Sequence, residues 1–127
     1  QEGEGPAYFT GPEMQVLDNA WIDEAEPNPK TSAGANYALH GPPEDNTRPV
    51  GEWNDVLLIV NANNVQHWMN DKLQCSYELH SDSWKAAVAG SKFKQWPTYG
   101  MAKSGHIALQ DHGNQVWYRS IEVRRLD

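Results

Sequence analysis

The chain has 127 residues, 39% of them apolar and 21% charged, with a formal charge of −7. That length sustains one core and is read as a single domain over 1–127, while the acidity and the scatter of Lys and Arg argue against nucleic acid as a partner. No apolar run approaches the ~18 residues of a membrane span. The lone Cys75 excludes an internal disulfide framework, and its place on the apolar phase of its strand makes it core filler. The chain opens QEGEGPAYF, with neither methionine nor a secretory leader, so a leader removed upstream is compatible with it.

After the Gly-rich opening, residues 12–18 (PEMQVLD) read as a strand. Met14 and Val16 point one way, and Glu13, Gln15 and Leu17 the other. A carboxylate and an amide two residues apart suit neighbouring sugar hydroxyls, although a solvated strand face would look the same. Residues 19–49 form a long Pro, Asn, Gly and Asp-rich excursion, of the kind found at the mouth of a cleft. Within it, residues 35–39 are expected to place Tyr37, which either staples the loop to the body or faces a ligand.

The run VLLIV within residues 53–62 suits a strand covered on both sides, turned by Asn63-Asn64. Residues 65–70 and 72–80 form a hairpin if Asn70-Asp71 is its loop. Counting from that turn puts Trp68, Leu73, Cys75, Tyr77 and Leu79 on an apolar face, with His67, Gln74 and Glu78 on a polar one. Residues 81–91 are the one convincing helix, capped by Ser81 or Ser83, with Trp84 and Val88 on one face. A second aromatic loop, residues 92–103, leads to the end of the chain.

There, residues 104–123 (SGHIALQDHGNQVWYRSIEV) read as a hairpin closed by Gly113-Asn114, with His112 opposite Gln115. Ile107, Leu109, Val116 and Tyr118 then share a core face. The other face gathers His106, Gln110, His112, Trp117 and Arg119, an assortment suited to a ligand rather than to packing. Hydroxyls pair with Gln, Arg, His and Glu, and an indole stacks on a sugar ring.

Other site types are poorly served. No Gly-rich phosphate loop leads into a helix. Asp111 and His112 are adjacent in a strand, so they point apart and cannot form a base and its orienter. None of the five histidines has zinc-type spacing; no cofactor is evident, and a divalent metal is left open. Ordinary glycosidases need two carboxylates about 5 Å or about 6.5–9.5 Å apart, and only Glu13 occupies such a position.

GPEMQVLDN, TSAGANYAL, GEWN, VQHWMN, SKF and GHIALQDHGNQVWYRSIEV occur in this order nearly end to end, and together they resemble the bacterial 3-keto-disaccharide hydrolase family. The resemblance implies an all-β, concanavalin-like jelly-roll sandwich of two antiparallel sheets with one short helix. It also implies strands upstream of GPEMQ, so that this chain corresponds to the later part of the domain and leaves a sheet edge exposed. Export to the periplasm or the cell surface is implied as well. By position the family pattern highlights Glu13, Gln15, Asp18, Tyr37, His67 with Trp68 and Asn70, and Gln110, His112 and Arg119. The sequence departs from the pattern at Asp71, where glycine is usual, at Ser120, where asparagine is usual, and after Asn19, where a His-Pro-Asp is missing. A duty carried by that loop histidine elsewhere does not transfer.

A glycoside already oxidised at C3 needs no carboxylate pair, because the ketone acidifies the C2 hydrogen. The expected machinery is Glu13 or His67 as base, Arg119 or Gln110 on the developing oxyanion, His112 as acid to the leaving oxygen and Trp117 beneath the ring. Gln15, Asp18 and Tyr37 complete the expected substrate contacts. A non-catalytic carbohydrate-binding module of the same architecture is the alternative, and a protein interface on the polar face is a third reading.

Overall fold

The computed structural model describes residues 5–22 and 29–126. The first four residues of the Gly-rich opening and part of the 19–49 excursion lie outside them. The regular elements are β1 (Val56–Asn61), β2 (Asn64–Met69), β3 (Lys72–Glu78) and α1 (Asp82–Ala89), with short 3-10 turns that include Lys92–Gln95. The strands form one antiparallel sheet in the order β1-β2-β3. Among the described residues no helix is long and apolar enough to cross a membrane.

The β1–β2 turn is Ala62-Asn63, one residue earlier than expected, because Asn61 pairs with Asn64. The β2–β3 turn falls at Asn70-Asp71 as predicted. Both residues adopt positive φ, 49° and 64°, the geometry that twists a two-residue hairpin correctly. Asp71 therefore tolerates the conformation for which glycine would be the easier choice.

The register predicted from that turn holds for only two pairs. Met69 faces Lys72 and Trp68 faces Leu73, but a shift between His67 and Trp68 then sets His67 opposite Cys75. Gln74 is the extra residue of a β-bulge, and one inserted residue moves everything beyond it to the opposite face. His67 thus joins Val65 and Cys75 on the buried side rather than Glu78 on the polar one. Gln74 is itself buried, packed where Gly34 lacks a side chain: a Cβ on Gly34 would lie 2.6 Å from Gln74 Cγ.

α1 begins where its cap predicts. The Ser81 hydroxyl accepts the Trp84 N–H at 3.1 Å, satisfying one of the donors that every helix start leaves open. Trp84 points into a core with Leu39, Phe93 and Tyr99. The core is largely a column of rings. Tyr77 stacks on Trp84 at 5.3 Å, Trp84 on Tyr99 at 5.9 Å and Tyr99 on Phe93 at 4.1 Å. Cys75 is buried, as expected of core filler.

Two further expectations fail. β1 is an edge strand exposed on both faces, with Leu57 56% and Leu58 46% accessible. Residues 104–126 form no ladder and are exposed, including the intended core residues Ile107, Leu109, Val116 and Tyr118. A bend remains at the predicted position: Gly113 has φ +89°, and its N–H donates to Asp111 Oδ1 at 3.0 Å. A lone two-stranded hairpin is marginal without a sheet or helix to pack on, and no described segment lies against this one as a neighbouring strand.

Candidate functional site

Residues 12–18 do not form an extended strand, yet they are held as one beside the 34–37 segment. Met14 bridges Asn36 in antiparallel fashion. The Tyr37 N–H donates to the Glu13 carbonyl at 3.0 Å, and the Gln15 N–H donates to the Ala35 carbonyl at 2.9 Å. Opposite residues in such a pair face the same way, so Glu13 and Tyr37 share a surface. The predicted role of residues 35–39 in placing Tyr37 is met.

Lys92 reaches this surface from the turn after α1. Its Nζ lies 4.3 Å from the centre of the Tyr37 ring and 5.4 Å from that of Phe93, contacts in which a ring face attracts an ammonium group. Glu13 is half-buried, and burial raises its carboxyl above the ordinary value, while the charges of Lys92 and then His112 pull it down. A lysine ammonium and an imidazole thus stand near one partly desolvated carboxylate. Tyr99 and Tyr118 are close enough for Glu13 to act on them; burial is the larger cause of the upward shift in both. The Tyr99 hydroxyl is buried with no hydrogen-bond partner among the described residues. The Tyr118 hydroxyl donates to the Gln110 carbonyl at 2.9 Å, tying the last segment to itself.

The structure therefore brings together Glu13, Tyr37 and His112 from the sequence-assigned set. Sequence reasoning missed Lys92, Tyr99 and Tyr118. Tyr118 was assigned to the core face, and Lys92 and Tyr99 lay in a loop whose only signal was its aromatic content.

Gln15 follows Glu13 by two residues in the same backbone pairing, whereas His67 and Asp18 lie elsewhere. His67 is 1% exposed. Its Nδ1 is 3.1 Å from the Gly34 carbonyl and its Nε2 3.1 Å from the Tyr77 hydroxyl. A carbonyl can only accept, so Nδ1 carries the proton and Nε2 accepts from Tyr77. Burial depresses the imidazole to about 4, which keeps it neutral, and both nitrogens are occupied. Asp18 caps a short turn by accepting the Ala20 N–H at 3.1 Å. It also borders a cleft of about 170 Å³ with Arg48, Glu52 and Asn54. Arg119 lies over the Trp53 ring at 4.0 Å. Trp117 is 65% exposed, so its indole is open to solvent rather than sunk in a core. Gln110 is also exposed, as is His112 near Glu13.

A second recess, about 250 Å³, lies between β2 and β3 around Gln66, Ser76 and Glu78. None of the sequence-assigned residues lines it. Among the described residues no group of three or more His, Cys, Asp or Glu is arranged to hold a metal ion.

A family model described as a 3-keto-alpha-glucoside-1,2-lyase-like domain matches residues 1–124. A 3-keto-disaccharide hydrolase of Bacteroides thetaiotaomicron is 36% identical over 135 aligned positions, covering 96% of this chain and 46% of that protein. A solved structure of a candidate glycosyl hydrolase from Parabacteroides distasonis aligns with a TM-score of 0.66 at 30% identity, covering 75% of this chain and 45% of that one. The chain spans less than half the length of either relative.

Proposed function

This chain belongs to the 3-keto-alpha-glucoside-1,2-lyase-like domain family, and from that premise we propose that it carries part of the active site of an enzyme that cleaves 3-keto-glycosides. The observation that carries the reading is the single half-buried carboxylate of Glu13, flanked by Lys92 and His112 and facing Tyr37. One carboxylate does not serve ordinary glycoside hydrolysis, which needs two. It does serve an elimination.

Glu13 takes the C2 proton, and the electron pair moves into an enolate with its charge on O3. The enolate collapses back to the ketone, forms a C1–C2 double bond and expels the group at C1, whose oxygen takes a proton from His112. Water then adds, hydroxyl to C1 and hydrogen to C2, so that the net reaction is hydrolysis. A base with its pKa raised toward neutrality is suited to the first step. Glu13 is favoured over His67 because both nitrogens of His67 are already engaged in the core. Gln15, Tyr37 and Gln110 would orient the sugar hydroxyls, and the open indole of Trp117 offers a platform for a ring. Asp18 and Arg119 would act farther out, at the cleft and at Trp53.

In this reading the sheet belongs to a two-sheet jelly roll of the concanavalin kind, whose remaining strands would cover the exposed faces of β1. Export to the periplasm or cell surface accompanies it, since polysaccharide is digested outside the cytoplasm.

The test is to offer the intact protein a disaccharide and its 3-keto derivative in parallel. Cleavage of the 3-keto derivative alone is expected. Saturable binding of the unoxidised sugar with no cleavage of either would replace the proposal with a carbohydrate-binding module.

A further inference from the structure

The elimination proposed above places negative charge on O3, and something must meet it. Arg119, the cation first assigned to that duty, is stacked on Trp53 at 4.0 Å. We propose instead that the ammonium group of Lys92 stabilises the enolate oxygen, from its position over Tyr37 beside Glu13; the inference rests on that reading of the reaction.

Three observations support it. Lys92 lies at the start of the 3-10 turn Lys92–Gln95, whose Ser91 cap accepts the Phe93 N–H at 3.1 Å. The backbone that carries the lysine is thereby fixed. Phe93, the next residue, is buried against Tyr99, anchoring the turn to the ring column. The side chain is held at its far end as well, with Nζ 4.3 Å from the Tyr37 ring. Because Tyr37 is paired with Glu13 through the 3.0 Å backbone bond, the ammonium and the carboxylate are set on one surface by the same short segment.

That arrangement suits a base and an oxyanion partner acting on neighbouring atoms. C2 and the carbonyl carbon C3 are bonded, so a sugar with its C2 hydrogen at Glu13 presents O3 within a few ångströms. A charge already in place beside the carboxylate reduces the reorganisation needed as the enolate forms. The ammonium donates a hydrogen bond to O3 and keeps its proton throughout. No atom is gained or lost at Lys92.

The experiment compares wild type, Lys92→Met and Lys92→Arg in the intact protein, with a 3-keto-glucoside as substrate. Removing one oxyanion partner typically costs about 10²–10³ in kcat. Lys92→Met is therefore expected to lose about that much in kcat with KM changed less than about fivefold, and Lys92→Arg to recover most of it. The acid limb of the kcat/KM profile is expected to move to higher pH in Lys92→Met, since a charge that holds Glu13 down is gone. A lysine that only lowers the Glu13 carboxyl would move the limb without the loss of kcat on the plateau, and a merely structural one would move neither. Lys92 is exposed, so thermal unfolding should change little, which separates lost chemistry from lost folding. Lys92→Met with kcat within threefold of wild type, or with only KM raised, would overturn the role of Lys92 while leaving the elimination intact. A wild-type protein that fails to act on the substrate at all would overturn both.

Discussion

His67 ties the stability of the protein to pH, and the size of the effect follows from its surroundings. The ring is 1% exposed, and burial lowers its pKa from 6.5 to about 4 against the opposing pull of backbone groups at Gly34 and Ala35. An unfolded chain binds a proton here below pH 6.5, while the folded chain stays neutral until about pH 4. Stability is therefore complete above pH 6.5, falls as the pH drops through that window, and loses nothing further from this group below about 4. The gap corresponds to about 3–4 kcal/mol at about 1.4 kcal/mol per pH unit, a large share of the margin by which a domain is folded. Urea unfolding of the intact protein and of His67→Gln, at several values from pH 7.5 to 4, measures it. The variant should be less stable at pH 7, because the Gly34 carbonyl and the Tyr77 hydroxyl are bonded to an imidazole, yet its stability should decline less steeply with acid. Parallel curves for the two proteins, within about 0.5 kcal/mol across the window, would refute the reasoning.

Three further outcomes are expected. Gly34→Ala places a Cβ 2.6 Å from Gln74 Cγ at a residue with φ +84°. It should cost at least about 1–3 kcal/mol in thermal unfolding, part of it recovered in the Gly34→Ala, Gln74→Ala double variant. Ser81→Ala removes the α1 cap bond and should lower stability by about 1 kcal/mol in urea, with kcat unchanged because Ser81 has no part in the proposed chemistry. Trp117→Ala removes an indole that is 65% exposed. Its melting temperature should stay within a degree or two of wild type while KM for the sugar rises several-fold, as read from initial rates.

Legibility from sequence followed how local each determinant is. The cap at Ser81, the Asn70-Asp71 turn and the Gly113-Asn114 bend are set by residues next to one another, and all appear where expected. The face of His67 could not be counted correctly, because the bulge at Gln74 depends on a distant glycine leaving room for it. The last segment bends at the right residues but has no ladder, since a bend fixes register only where there is a sheet to join. The site divides in the same way. Glu13 and Tyr37 were legible as one strand face and one loop that places a tyrosine. Lys92 and Tyr99 join them only through the folding of the turn after α1, which no periodicity announces.

The central claim is that Glu13 removes the proton from C2 of a ketone-bearing sugar. Its most direct test is to follow, by proton NMR in deuterium oxide, the C2 signal of a 3-keto-glucoside incubated with the intact protein and with Glu13→Gln. Wild type should wash out or consume that signal, with a rate that falls as acid protonates a carboxyl whose pKa burial has raised, and Glu13→Gln should leave it essentially unchanged. Equal loss of the signal with both proteins would place the base elsewhere and contradict the account.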